Sequence, residues 1–208
     1  MCGRYVLFTD EEDDDISEIV RDIQHRLLEE EANEKEGADG RGEVRGAFKA
    51  FGEIFPTNIA PVVTSRGPEA MTWGLPPFGQ QKNVLINARA ETVYEKPTFR
   101  QAVLLRRCVV VSHGFYEWGK QPDGGKQKYL FNLSGTNRRL FMAGMYNLYG
   151  GWARFTILTT AANASMQPVH NRMPVILLPG ECGGYIGDDG VARDIIGRVP
   201  PELYMTIA

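Results

Sequence analysis

Residues 108–133 read CVVVSHGFYEWGKQPDGGKQKYLFNL, and this stretch decides the fold. Cys108–Ser112 and Tyr129–Leu133 are rich in β-branched, aromatic and other apolar residues and read as strands. Between them Pro122-Asp123-Gly124-Gly125 is a strong turn, because proline presets φ and glycine accepts positive φ. It reads as a hairpin tip. Working outward, further strands are expected at Val84–Asn87, Leu140–Tyr146, Phe155–Thr160 and Pro174–Leu178. Met1–Phe8 is short, apolar and β-prone, a strand that carries the N-terminus into the core. Ile16, Ile19, Val20, Ile23 and Leu27 mark one helical face running to about Glu34. Thr9 and Glu12 have capping-box spacing ahead of it. Lys35–Gly46 is polar and glycine-rich and reads as a mobile surface loop. Lys96–Leu105 reads as one short helix. The expected fold class is α+β: a single domain over 1–208, with a large, mainly antiparallel sheet or barrel-like core and a few peripheral helices. About residues 10–46 form an acidic helix and loop insertion.

The 208 residues carry a net charge of −3, and that average hides a segregation. Residues 10–36 hold thirteen acids against three bases, a charge of −10, which leaves +7 on the other 181 residues. A basic body with one acidic appendage is compatible with a polyanionic partner. No apolar run is long enough to span a membrane, and the N-terminus lacks the layout of a signal peptide. The three cysteines, Cys2, Cys108 and Cys182, are too few and too odd in number for a disulfide framework. They show no CxxC spacing, so no metal site and no cofactor are expected.

Cys2 is the first residue with chemistry to offer. Its small side chain lets the initiator methionine be removed, which places a free α-amine beside the thiol. The two groups titrate near 7.7–8.0 and 8.5, so both have reactive forms near neutral pH. With an aldehyde the amine forms an imine, and the thiolate closes onto the imine carbon to give a thiazolidine. Ring closure is intramolecular, so the effective thiol concentration is very high. The same residue can serve as a nucleophile on carbonyls, with the amine as its base. Three further segments bear polar groups in places that suit a site. Ile86-Asn87-Ala88-Arg89-Ala90-Glu91-Thr92 puts an amide and a guanidinium two residues apart, hence on one face of a strand. Gly114-Phe115-Tyr116-Glu117-Trp118 sets a carboxylate among aromatics, where desolvation favours a general acid. Val169-His170-Asn171-Arg172-Met173-Pro174 places a histidine beside an arginine.

Taken together with Met1-Cys2-Gly3-Arg4, these motifs resemble the SOS response-associated peptidase family. The match extends in order through Asn58-Ile59-Ala60-Pro61, Trp73-Gly74-Leu75, Lys96-Pro97-Thr98-Phe99, Arg106-Arg107-Cys108, Ala143-Gly144-Met145-Tyr146 and Phe155–Ala162. The resemblance implies an abasic-site processing protein that binds single-stranded DNA and crosslinks to the abasic aldehyde through Cys2. It implies a peptidase or lyase with autopeptidase-type processing of its own N-terminus. Asn87 would position the Cys2 amine, Glu117 would relay protons, and His170 would act as acid or base on the opening sugar. Arg4, Asn58, Arg89 and Thr160 match positions that look like DNA-backbone contacts, and Trp73 would stack or wedge beside a base. His113, outside this set, reads as structural. A monomer is expected, in the cytoplasm and on the nucleoid at damage.

Two alternatives stay open on sequence. One is an N-terminal-nucleophile cysteine amidohydrolase of the glutamine amidotransferase type, which also begins Met-Cys-Gly. The other is a non-catalytic single-stranded DNA-binding module.

Overall fold

A computed structural model describes residues 2–8, 14–36, 47–77, 83–133 and 139–208, and the side chains of all these except 14–15 and 28–36. The Thr9–Glu12 capping pair and residues 37–46 of the expected loop lie outside the described residues. In chain order the elements are β1 (Tyr5–Leu7), α1 (Asp14–Glu36), β2 (Gly52–Ile54), β3 (Ile59–Thr64), β4 (Gly67–Trp73) and β5 (Asn87–Arg89). A 3-10 turn, Ala90–Thr92, and α2 (Pro97–Leu105) follow. Then come β6 (Arg107–Ser112), β7 (Gly114–Lys120), β8 (Lys126–Asn132), β9 (Leu140–Tyr149), β10 (Trp152–Ala161), β11 (Arg172–Pro174) and β12 (Ile176–Leu177). The chain finishes with α3 (Cys182–Gly187), α4 (Asp189–Gly197) and β13 (Tyr204–Ile207).

The expected α+β class holds. Strands β10, β4, β3, β6 and β9 pair in that order, and β9 pairs back onto β10, which closes a five-stranded barrel. Its β10–β4 contact is parallel and the others are antiparallel. A second, wholly antiparallel sheet has the order β13-β8-β7-β1-β2. Closure removes sheet edges from the larger unit.

Strand β6 is buried along its whole length. Its alternate residues point to opposite faces. Cys108 and Val110 join Trp73, Phe155, Ile157, Tyr5 and Phe115 in one core, shared with the smaller sheet. Val109 joins Ala143, Met145, Leu158 and Val175 in another, covered by Phe99, Ala102 and Val103 of α2 and by Tyr185, Ala192, Ile195 and Ile196 of α3 and α4. The helical face read from the sequence is the packed one: Ile16, Val20 and Ile23 are buried. Helix α1 lies on β3 and β4.

Some expectations needed correction. The strand placed at Val84–Asn87 is Asn87–Arg89, and Leu85 makes only an isolated bridge to Leu75. The run Pro174–Leu178 is two short strands, because Val175 leaves the ladder to bond its N–H to the Leu158 carbonyl. Gly114–Lys120 is itself a strand and forms the first arm of the hairpin whose tip holds Pro122–Gly125.

Candidate functional site

Strand β1 delivers the N-terminus to β7. Tyr5 lies in register with Phe115 and Val6 with Gly114, and the Tyr116 N–H donates to the Arg4 carbonyl at 2.8 Å. The barrel strand β6 passes into β7 through His113 and Gly114. Gly114 has φ +157°, and a Cβ there would stand 2.7 Å from the Phe131 carbonyl oxygen. Only glycine fits so close an approach. His113 is structural, as expected: its Nδ1 accepts from the Phe8 N–H at 3.0 Å, and its buried ring packs on Phe8.

Cys2 is completely buried. Burial, and then the nearby negative charge of Glu117, push its thiol well above the usual range. Sγ points to the Arg4 carbonyl at 4.0 Å. The carboxylate and the thiol are therefore neighbours, brought together by antiparallel pairing of residues far apart in sequence. Asn87 closes the site from β5. Its Nδ2 donates to the Cys2 carbonyl at 3.0 Å, while its Oδ1 is buried with no hydrogen-bond partner. A buried acceptor without a donor costs about 1–3 kcal/mol.

The face-sharing read from Asn87 and Arg89 holds: Ala88 packs into the second core, Asn87 is half-buried and Arg89 is exposed. His170 sits at the end of a turn, where its backbone N–H donates to the Met166 carbonyl. Its Nδ1 accepts from the Arg172 N–H at 2.9 Å. The preceding Val169 packs on the first core and lies 3.7 Å from where a Cβ on Gly119 would be, on the same strand and face as Glu117. The His170 turn thus rests on the Glu117 strand.

Glu91 and Arg172 are two residues of these motifs to which local sequence assigns no role. Arg172 holds Glu91 through both guanidinium ends, at 2.5 and 2.9 Å, and reaches the Thr159 carbonyl. This pair ties the Asn87 motif to the His170 motif. Opposite charges in two separate motifs were the available signal. Arg172 holds the Glu91 carboxyl below the usual carboxylate range.

The residues expected to face DNA divide. Arg89 is exposed, and Thr160 is half-buried on β10, the strand that separates β5 from β11. Arg4 is 3.0 Å from Glu53 and lies over the rings of Phe55 and Trp118, at 4.3 and 4.9 Å. Asn58 uses its Oδ1 on the Phe55 N–H to close a turn. Trp73 is a correction. It is fully buried, stacked on Phe155, tilted against Tyr5, and its indole N–H is bonded to the Ile86 carbonyl. It has no face to offer a base. No cluster of metal-ligating residues exists among the described residues, and no described helix is long and apolar enough to cross a membrane.

Comparison with known proteins extends the geometry. The family model described as SOS response associated peptidase (SRAP) matches residues 1–195. The abasic site processing protein YoqW of Bacillus subtilis (strain 168) is 33% identical over 196 residues, covering 85% of this chain and 76% of YoqW. The abasic site processing protein YMR114C of Saccharomyces cerevisiae is 31% identical over 209 residues, covering 86% of this chain and 53% of that protein. A phage-related protein of known structure from Bordetella bronchiseptica shares the fold, with a TM-score of 0.68 at 22% identity over 100% of this chain and 94% of that one. With the family's motifs gathered around Cys2 by β1, β5 and β7, and with the family model spanning nearly the whole length, the chain belongs to the SOS response associated peptidase family.

Proposed function

We propose that this protein processes abasic sites in single-stranded DNA by forming a thiazolidine with Cys2. One observation carries the reading: the divided amide of Asn87. Its Nδ2 fixes the Cys2 carbonyl, and its buried Oδ1 has no donor. While Met1 is present, the Cys2 nitrogen is an amide with a single hydrogen. Once Met1 is hydrolysed away, that nitrogen becomes an amine, a natural donor for the waiting oxygen. Release of Met1 is the peptidase reaction of this reading, with the Cys2 thiol attacking the Met1 carbonyl and water hydrolysing the thioester.

The chemistry then balances simply. The amine adds to the aldehyde of the ring-opened sugar and one water leaves, giving an imine. The thiol adds across the imine: sulfur bonds to carbon and the proton ends on nitrogen. The buried thiol beside Glu117 rests protonated, so a base must take its proton at the moment of attack. Glu117 is the adjacent group for that transfer. His170 serves the sugar, protonating the ring oxygen's side of the opening step. Phosphates meet Arg89 on the exposed face of β5, and the +7 body supplies general attraction. The protein acts as a monomer, on the nucleoid.

The test is intact mass. Met1-free protein mixed with an abasic oligonucleotide should give a heat-stable adduct of the summed masses less one water. Protein with a residue retained before Cys2 should give none. Glu117→Gln and His170→Ala should slow adduct formation by roughly 10- to 10⁴-fold, with affinity for undamaged single strands unchanged. A heat-stable adduct from Cys2→Ala would overturn the reading, and strand binding without any adduct would favour the non-catalytic module.

A further inference from the structure

Ile207 on β13 is in register with Tyr129 on β8, and Tyr129 with Glu117 on β7. The three form one row across the smaller sheet, with side chains on one face. Adjacent strands are about 4.8 Å apart, so the row runs roughly 10 Å from the Glu117 backbone to that of Ile207. Gly119, the next residue on that face of β7, leaves a gap that Tyr129 fills: a Cβ there would stand 2.9 Å from Tyr129 Cε2 and 3.7 Å from Val169 Cγ1. The Tyr129 hydroxyl is fixed by the Gln121 amide at 3.2 Å. From buried Glu117 the row passes half-buried Tyr129, which with Val169 of the His170 turn packs over buried Gly119, and reaches β13. There it is apolar and open. Ile207 is 73% exposed and Met205, on the same face, 44%.

A single strand whose abasic sugar sits at Cys2 and Glu117 has to lead its neighbouring nucleotides past the site. A neighbouring base has lost its stacking partner where the base is missing, and it exposes an apolar face. We infer that the ledge of Tyr129, Met205 and Ile207 receives the nucleobase next to the abasic sugar, so that the protein favours isolated abasic sites over runs of baseless sugars. This rests on the thiazolidine reading.

The experiment compares adduct rates at subsaturating DNA for the unaltered, Met1-free protein and a Met205→Ser/Ile207→Ser variant, both changes being at exposed positions. Three substrates are used: an abasic oligonucleotide with bases on both sides, the same oligonucleotide with baseless tetrahydrofuran nucleotides on both sides, and 2-deoxyribose 5-phosphate as a bare aldehyde. The unaltered protein should prefer flanking bases by about tenfold, within the range that stacking contacts give. The variant should lose that preference and react with the bare aldehyde at an unchanged rate. A preference retained in the variant, no preference in the unaltered protein, or equal slowing on all three substrates would each overturn the ledge. No adduct with any substrate, bare aldehyde included, would overturn the thiazolidine reading and the ledge with it.

Discussion

Asn87 and Trp73 show how much a residue's surroundings decide about its work. Both lie in family motifs, and both carry a polar group able to meet a ligand. Asn87 directs its amide at the Cys2 main chain and keeps one buried oxygen without a donor. Trp73 directs its N–H at a backbone carbonyl and buries both ring faces. Replacing Asn87 with alanine removes the Nδ2 bond and the acceptor together, leaving the Cys2 carbonyl buried and its amine unoriented. Single-turnover crosslinking by Asn87→Ala should fall by about 10²-fold, the cost of losing alignment of a reacting group. Its affinity for undamaged single strands should stay within twofold of the original, because Asn87 touches no phosphate in this scheme.

At the scale of elements, the site depends on one junction. Strand β6 belongs to the barrel and β7 to the smaller sheet, and His113 is the single residue between them. Gly114 allows the β7 backbone to run against Phe131, which fixes the height of Glu117 relative to Cys2. A methyl group there would meet the Phe131 oxygen at 2.7 Å and Leu130 Cδ1 at 2.8 Å. Gly114→Ala should therefore lose about 1–3 kcal/mol of stability, read from urea unfolding midpoints, since backbone and core must both shift. It should also slow crosslinking by more than an equally destabilising substitution within α4. Arg107 performs a comparable task outside the site: it is buried and bonds the carbonyls of Val103, Leu104, Tyr185 and Ile186, joining α2 and α3 to the barrel.

The whole molecule carries its three thiols in neutral form. Burial pushes Cys182 up to about 11 and pushes Cys2 and Cys108 further. In the unfolded chain each thiol ionises near 8.5. A raised native pKa means that the folded state binds the proton more tightly. The stability this supplies is complete below about pH 8.5 and declines as pH rises through the native values. Urea unfolding should show these groups costing nothing between pH 6 and 8 and stability falling steadily from about pH 9 to 11. Cys108→Ala should flatten that fall, although it lowers stability at neutral pH by opening a small void.

The sequence by itself determined the fold class, the face of α1, the hairpin tip at Pro122–Gly125 and the motif set. Those depend on local periodicity, turn chemistry and residue type. It also placed Asn87 and Arg89 on one face, since strand alternation is a local rule that survived a shift of the strand's start. What it could not supply depended on partners distant along the chain. Barrel closure comes from β10 pairing with both β4 and β9, and no pattern within β10 specifies its partners. The burial of Trp73 against Tyr5 and Phe155, the bond from Asn87 to Cys2, and the tie between Glu91 and Arg172 are likewise contacts across dozens of residues. Only the tertiary structure decided them, because burial and hydrogen bonding are properties of the space around a side chain, and that space is built by other segments.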